Sequence, residues 1–229
     1  MVTVPRLPAQ GFKTDRQTTH SMLAIAGGKG GCGKTTVALG VGEALGATPG
    51  RSLVVDTDRD MPNLHRRAGV DPAPGLADVT ATAEPTTVAQ RATTVETVDV
   101  LPCQNASKGA VGNAIDSLAQ CDRPVVLDCP AGAGPDAARP LRVADRTVLV
   151  SAPTRQSLTD TAKTAAMARA LDAPPALTVL VGSDGSVDPS DLLSCPATVH
   201  VPSVSEPLNS ARATAKYAEI ANNLTKRNT

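Results

Sequence analysis

The sequence contains almost no aromatic residues: there is no Trp, and Tyr217 and Phe12 are its only Tyr and Phe. This scarcity argues against a protein that stacks the bases of single-stranded nucleic acid on aromatic rings. The core must instead be built from Val, Leu, Ile and Ala, a composition that suits a parallel sheet buried on both faces. Charge of one sign is also not in excess, because 22 basic residues balance 22 acidic ones. No global field therefore draws the protein to nucleic acid or to an anionic membrane.

The cysteines form neither a C-x-x-C pair nor a zinc-binding spacing, and their number is odd. They are Cys32, Cys103, Cys121, Cys129 and Cys195. Without a secretory hydrophobic segment, this pattern predicts a reducing cytoplasmic setting. The sequence contains no run of about 18 apolar residues, the length that would predict a membrane span. Residues 1–20 lack periodicity, so we expect a mostly disordered lead-in, with partial docking as the alternative, before a single domain over residues 21–229.

Short apolar runs alternate with helical patterns along the rest of the chain. The predicted strands are Met22–Ala26, Ser52–Asp56, Val98–Pro102, Pro124–Asp128, Thr147–Ser151, Leu177–Val181 and Thr198–Val201. The predicted helices run from Thr36 to Gly46, from Gln156 to Leu171 and from about Leu208 to Leu224. This alternation predicts an α/β fold, a doubly wound and mostly parallel sheet with helices on both faces.

The first predicted strand runs into a glycine-rich loop with two lysines. The loop and its continuation read Gly27-Gly28-Lys29-Gly30-Gly31-Cys32-Gly33-Lys34-Thr35-Thr36. Gly28 to Thr35 fit the phosphate-loop pattern G-x-x-x-x-G-K-[ST], in which Lys34 reaches the phosphates and the Thr35 hydroxyl reaches Mg²⁺. Converging backbone N–H groups and the N-terminus of the following helix would hold phosphate oxygens. Lys29 is a second cation that the ordinary pattern does not require.

Acidic residues follow two other predicted strands. Asp56, Asp58 and Asp60 lie at alternating positions at and beyond the end of the second strand, and Asp128 ends the fourth. Because ligands bind beyond the carboxyl ends of parallel strands, these carboxylates are expected near the phosphate loop. Asp128 is the candidate ligand of hydrated Mg²⁺, and Asp58 a candidate for an outer metal contact or for orienting an attacking water. A solvated acidic loop is the alternative for Asp58 and Asp60, and a helix cap for Asp128.

Together these residues resemble the MinD/ParA family of P-loop ATPases, whose deviant Walker A sequence K-G-G-x-G-K-[ST] matches Lys29 to Thr35. Asp56-Thr57-Asp58 resembles the family's switch I, and Asp128-Cys129-Pro130-Ala131-Gly132 its switch II. Ala144-Asp145 and the segment that follows are similar to the MinD branch. The resemblance covers about residues 21–220.

The resemblance implies an ATP- and Mg²⁺-dependent switch that forms a homodimer around two nucleotides and works with an activating or cargo protein. Lys29 would reach the nucleotide of the partner subunit, and Asp58 would position the hydrolytic water. Thr36 would contact the α-phosphate, and the loop around Pro202 would border the adenine. Gly28, Gly30, Gly31, Cys32, Gly33 and Lys34 would hold the phosphates, and Thr35, Asp58 and Asp128 would serve the metal.

The chain also departs from the family pattern. Val181-Gly182-Ser183-Asp184 stands where relatives carry an Asn-Arg pair that reads adenine. The C-terminal segment lacks a bulky apolar face, so it is predicted to pack on the domain rather than to anchor it in a membrane. No basic surface supports DNA binding. Two alternatives stay open: an iron–sulfur carrier or electron-donating ATPase, for which Cys103 and Cys129 are the candidate pair, and a scaffold that binds nucleotide without hydrolysing it.

Overall fold

The computed structural model describes residues 22–47 and 50–226, so the predicted lead-in over residues 1–20 lies outside the described part. Its eight strands are β1 (Met22–Gly27), β2 (Ser52–Asp56), β3 (Gln90–Arg91), β4 (Val98–Leu101), β5 (Val125–Ala131), β6 (Arg146–Ser151), β7 (Pro175–Val181) and β8 (Thr198–Val201). They form one sheet in the order β3-β4-β2-β5-β1-β6-β7-β8. Every neighbouring pair is parallel except β3 and β4.

Within the described residues, seven α-helices lie between these strands along the chain and an eighth follows β8. They are α1 (Lys34–Gly46), α2 (Leu64–Ala68), α3 (Pro85–Val88), α4 (Lys108–Ser117), α5 (Pro135–Val143), α6 (Arg155–Ala170), α7 (Ser190–Leu193) and α8 (Ala211–Thr225). None of the helices within residues 22–47 and 50–226 is long and apolar enough to span a membrane.

The doubly wound parallel sheet predicted from the sequence is confirmed, and each predicted strand is present. The antiparallel edge strand β3 was not predicted, because two residues are too few to show any periodicity. The three predicted helices are also present. The last begins at Ala211 rather than Leu208. The helices α2, α3, α4, α5 and α7 were not predicted; four of them span only 4 to 9 residues.

Successive residues of the central strands face opposite cores. Leu23 and Ile25 of β1 pack in the core with α1 and α8, whereas Met22 and Ala24 pack in the core with α4 and α5. Side chains alternate across a strand, so a near-continuous apolar run serves a sheet covered on both faces.

Helices α1 and α8 lie against each other on one face of the sheet. The ring of the buried Tyr217 sits directly over Gly40, where any Cβ would overlap it. Buried residues of α8, including Ile220 and Leu224, join the same core. The prediction that the C-terminal segment packs on the domain is therefore confirmed.

The sheet brings three strand ends together. Strand β1 lies between β5 and β6, so the direction of winding reverses there. The register pairs Asp128 with Ile25 of β1 and with Asp56 of β2. The loops that follow β1, β2 and β5 consequently meet at one edge, at the switch point where ligands bind in open α/β sheets.

Candidate nucleotide site

The loop between β1 and α1 is held close to helix α6. The amide of Gly28 donates to the Thr161 hydroxyl at 3.4 Å, and a Cβ on Gly28 would overlap the backbone of Asp160. Only glycine therefore lets the start of this loop approach α6. The sequence predicted Gly28 as a phosphate-loop glycine but gave no sign of this contact, which joins residues 133 positions apart.

The rest of the loop leaves its backbone open. Gly31 and Gly33 have φ values of +77° and +95°, which side-chain-bearing residues rarely adopt. No residue of the described chain accepts a hydrogen bond from the amides of residues 29–33. Space also surrounds the Cα atoms of Gly30 and Gly31, where an added Cβ would meet nothing within 4 Å. Free amides at the N-terminus of a 13-residue helix are suited to phosphate oxygens.

The two lysines of the loop have different surroundings. Lys34 is buried, with 8% of its surface exposed, and its Nζ donates to the carbonyl oxygen of Lys29 at 3.4 Å. The side chain of Lys29 is exposed, and within the described chain it forms no hydrogen bond or ion pair. Lys34 thus lies inside the loop, whereas Lys29 faces outward.

Asp128 is a buried carboxylate with an unused oxygen. Its Oδ1 is buried and has no hydrogen-bond partner in the described chain. Burial raises the pKa of Asp128, and the charge of Asp56 raises it further; the Thr35 hydroxyl and the Lys34 ammonium act in the opposite direction. An unpartnered carboxylate oxygen beside a threonine hydroxyl matches the hard oxygen ligands that Mg²⁺ prefers. The residues present therefore fit a magnesium ion.

The segment after β2 holds Asp58 through its backbone. Asp56 is buried, and its carboxylate accepts from the amides of Asp58 at 3.0 Å and Leu64 at 3.3 Å. Asp58 is half-buried; its Oδ1 accepts from the amide of Met61 at 3.1 Å, and no described residue donates to its Oδ2. Asp56 therefore braces the loop, Asp58 offers a free oxygen, and Asp60 is exposed to solvent.

Thr57 joins the two acidic strand ends, a role that sequence reasoning missed. Its amide and its hydroxyl both donate to the carbonyl oxygen of Asp128, at 3.0 Å and 2.7 Å. The only signal was its position between two candidate residues, and the pairing of β2 with β5 supplies the rest. These two bonds thus tie the backbone at Asp128 to the segment that carries Asp58.

The cysteines near the site face inward. Cys32 is buried with its Sγ 3.5 Å from the carbonyl oxygen of Val150. Cys103 and Cys129 donate to carbonyl oxygens of Asp58 and Leu127, and burial raises the pKa of both thiols. Cys103 and Cys129, the candidate pair for a shared iron–sulfur cluster, are thus buried rather than exposed at the surface. Across residues 22–47 and 50–226, no group of three or more His, Cys, Asp or Glu side chains could hold a metal ion.

A cavity of about 720 Å³ lies beyond the ends of β7 and β8. Pro202, Ser183 and His200 border it. The Oγ of Ser183 lies 2.9 Å from the Nδ1 of His200, within hydrogen-bond distance. Sequence reasoning noted Ser183 only as a departure and did not select His200, because no motif links them. Thr36 lies in the first turn of α1, half-buried.

An open glycine-rich loop at a helix N-terminus, a buried lysine and a buried aspartate at the adjoining strand ends define a phosphate-loop nucleotide-binding protein. Residues 23–181 match the family described as the CobQ/CobB/MinD/ParA nucleotide binding domain. The chain belongs to this family. No curated protein matches its sequence.

Solved structures of this fold include three informative relatives. The cell division ATPase MinD of Pyrococcus furiosus is 26% identical with a TM-score of 0.76, and the match covers 90% of this chain and 99% of that one. MinD of Pyrococcus horikoshii, complexed with Mg-ADP, is also 26% identical, with a TM-score of 0.74 and coverage of 92% and 99%. Cobyrinic acid a,c-diamide synthase of Mycobacterium smegmatis, with ADP and magnesium bound, is 20% identical with a TM-score of 0.70, covers 91% and 95%, and shows the shared fold alone.

Proposed function

We propose that this protein binds Mg·ATP, forms a homodimer that encloses two nucleotides, and hydrolyses ATP slowly to position a partner or cargo. The family is one of nucleotide-binding domains, and the similar P. horikoshii MinD binds Mg-ADP. The name of the P. furiosus relative, a cell division ATPase, supports a positioning role without identifying the cargo.

The observation that carries the proposal is the contrast between the two loop lysines. Lys34 already occupies the cis position inside the loop, whereas the exposed Lys29 has no partner within the described chain. An exposed lysine at the entrance of a phosphate site has a catalytic role if it contacts the phosphates of the nucleotide that a second subunit binds. A charge supplied from a second chain is a recurring way to stabilise phosphoryl transfer.

Each remaining site residue has a role within one subunit. The amides of residues 29–33 and Lys34 bind the phosphates, with Thr36 at the α-phosphate and Pro202 beside the base. Thr35 and Asp128 hold Mg²⁺, which supplies charge neutralisation on the phosphate oxygens when bound. Asp58 orients the attacking water through its free Oδ2. Cys32 contributes its backbone, since its thiol points toward β6.

The test compares Lys29→Ala and Asp58→Ala with the wild-type chain by light scattering and by ATP turnover. Asp58→Ala should dimerise with Mg·ATP and hydrolyse it at least about 100-fold more slowly. Lys29→Ala should bind a fluorescent ATP analogue but stay monomeric and lose turnover. Arg91→Ala, which removes an exposed cation from the edge strand β3, is the matched control and should behave as wild type.

Two outcomes would contradict the proposal. Wild-type turnover by Lys29→Ala would mean that the outward lysine has no role in catalysis. If both the wild type and Asp58→Ala stay monomeric with Mg·ATP, the proposed nucleotide-dependent dimer is refuted. Turnover must be measured at high protein concentration, because unactivated phosphoryl-transfer switches run as slowly as roughly 10⁻⁴ s⁻¹.

A further inference from the structure

A groove of about 380 Å³ separates helices α4 and α5. Its floor is apolar, with Val111 and Ile115 on α4, and its inner end is lined by Thr57 and Arg59 of the segment after β2. The salt bridge between Lys108 and Asp136, 3.0 Å long, connects the two helices at their first turns. No residue of the phosphate loop lines the groove, and of the site residues described above only Thr57 does.

Arg139 of α5 lies in a slot that glycine makes. Gly112 of α4 is buried, and a Cβ there would overlap the guanidinium of Arg139, so the group rests against the backbone of α4. Arg139 is half-buried, yet no carboxylate of the described chain forms an ion pair with it. A partly desolvated guanidinium without a carboxylate is a costly arrangement that an incoming anion would relieve.

Positive charge is in excess among the residues that line the groove. Arg59, Lys108, Arg139 and Arg142 face two carboxylates, those of Asp116 and Asp136. The Nε of Arg59 donates a hydrogen bond to the carbonyl oxygen of Ala106 at 3.1 Å. Arg142 is exposed and forms no ion pair in the described chain. The excess positive charge is therefore local, in a protein whose formal net charge is zero.

The inner end of the groove touches the nucleotide machinery. Thr57 lines the groove and binds the carbonyl oxygen of Asp128 through both its amide and its hydroxyl. Arg59 directly follows Asp58. Helix α5 begins shortly after β5, the strand that contains Asp128. The α5 wall thus follows the strand that carries Asp128, and Arg59, next to Asp58, donates to the carbonyl oxygen of Ala106 shortly before α4.

We propose that the α4–α5 groove is a docking site for an acidic segment of a partner protein, and that Mg·ATP changes the affinity of that segment. The cations are spread along the groove rather than gathered at one point, which suits carboxylates spaced along a chain better than a single phosphate. The apolar floor accepts an intervening aliphatic side chain. The nucleotide dependence rests on the proposed function, whereas the charge dependence does not.

The test pans a phage-displayed library of random dodecapeptides on the full chain with Mg·ATP and measures the enriched peptides, labelled with fluorescein, by anisotropy. We expect enriched sequences with at least two carboxylates around an aliphatic residue. Arg139→Glu combined with Arg142→Glu should weaken them by about tenfold or more. Arg66→Glu combined with Arg91→Glu reverses two exposed charges outside the groove and should change the affinity little.

A second variant changes no charge. Gly112→Ala should displace the guanidinium of Arg139 from its slot and weaken the same peptides, while the thermal unfolding midpoint confirms that the chain is folded. The inference is overturned if no acidic peptide is enriched, or if the groove variants bind as tightly as the wild type.

Nucleotide binding is measured in parallel with a fluorescent ATP analogue, so that the two proposals fail separately. If nucleotide binding is normal but the peptides bind the groove variants as tightly as the wild type, this inference alone is refuted. Absent nucleotide binding would defeat the proposed function, and the charge dependence would then be judged from peptide binding without nucleotide. Equal peptide affinity with and without bound Mg·ATP would refute the coupling.

Discussion

Replacing Asp128 with Asn should stabilise the free protein while removing its response to Mg·ATP. Asp128 is 3% exposed, and its Oδ1 has no hydrogen-bond partner in the described chain. A buried, unsatisfied charge costs about 1–3 kcal/mol or more relative to a neutral group of the same shape. Asp128→Asn should therefore raise the free energy of unfolding by about 2 kcal/mol. For a chain of this size the melting temperature would rise by roughly 4–8 °C.

The gain should depend on pH in a defined direction. Burial and the charge of Asp56 raise the pKa of Asp128 in the folded state above its unfolded value. A raised folded pKa gives stability that is fully present below the unfolded pKa and is lost as the pH rises through the folded pKa. The wild type therefore loses stability on this rise, whereas the Asn variant does not. The difference between them should grow from acid to neutral pH.

Mg·ATP should reverse the order of stability. A ligand at 100 times its Kd stabilises the wild type by about 2.7 kcal/mol, and the variant, which lacks the carboxylate proposed to bind Mg²⁺, should gain much less. Calorimetry with and without Mg·ATP measures both effects, and Asp122→Asn, at an exposed carboxylate, is the control. A lower melting temperature of ligand-free Asp128→Asn, or a ligand response equal to that of the wild type, would refute the reasoning.

Two further predictions concern packing and the thiols. Gly40→Val should lower the free energy of unfolding by about 1–3 kcal/mol in urea, because its side chain would overlap the ring of Tyr217. Gly109→Val, at an open helical position, should cost distinctly less, and equal losses would contradict the packing argument. A thiol reagent should modify Cys121 first in the folded protein, since the other four cysteines are buried. Rapid labelling of Cys103 or Cys129, or visible absorbance after anaerobic iron reconstitution, would revive the cluster-carrier alternative.

Part of the site could be predicted because its signals are local. The spacing of Gly28, Gly33 and Lys34 sets the loop, since a strand, a glycine-rich turn and a helix start lie next to one another in the chain. Asp58 and Asp128 were selected for a similarly short-range reason, because each stands at or just beyond the end of an apolar run. In a parallel sheet all such ends reach the same edge.

Other features could not be predicted because they join distant parts of the chain. Asp56 had the same sequence signal as Asp58, but the structure makes it a brace for the backbone of Asp58 and Leu64. The double hydrogen bond from Thr57 to Asp128 spans 71 positions and depends on the pairing of β2 with β5. The edge strand β3 forms only because β4 is beside it.

By itself, the sequence determined the fold class, the phosphate loop and the two carboxylates to examine. Those choices depend on periodicity and spacing, which need no tertiary contact. The tertiary structure decided which lysine is enclosed, which aspartate keeps a free oxygen, which thiols are hidden and where Arg139 lies against Gly112. Burial and hydrogen bonding are properties of the packed chain, because neighbours far apart in sequence fix the dielectric and the partners of each group.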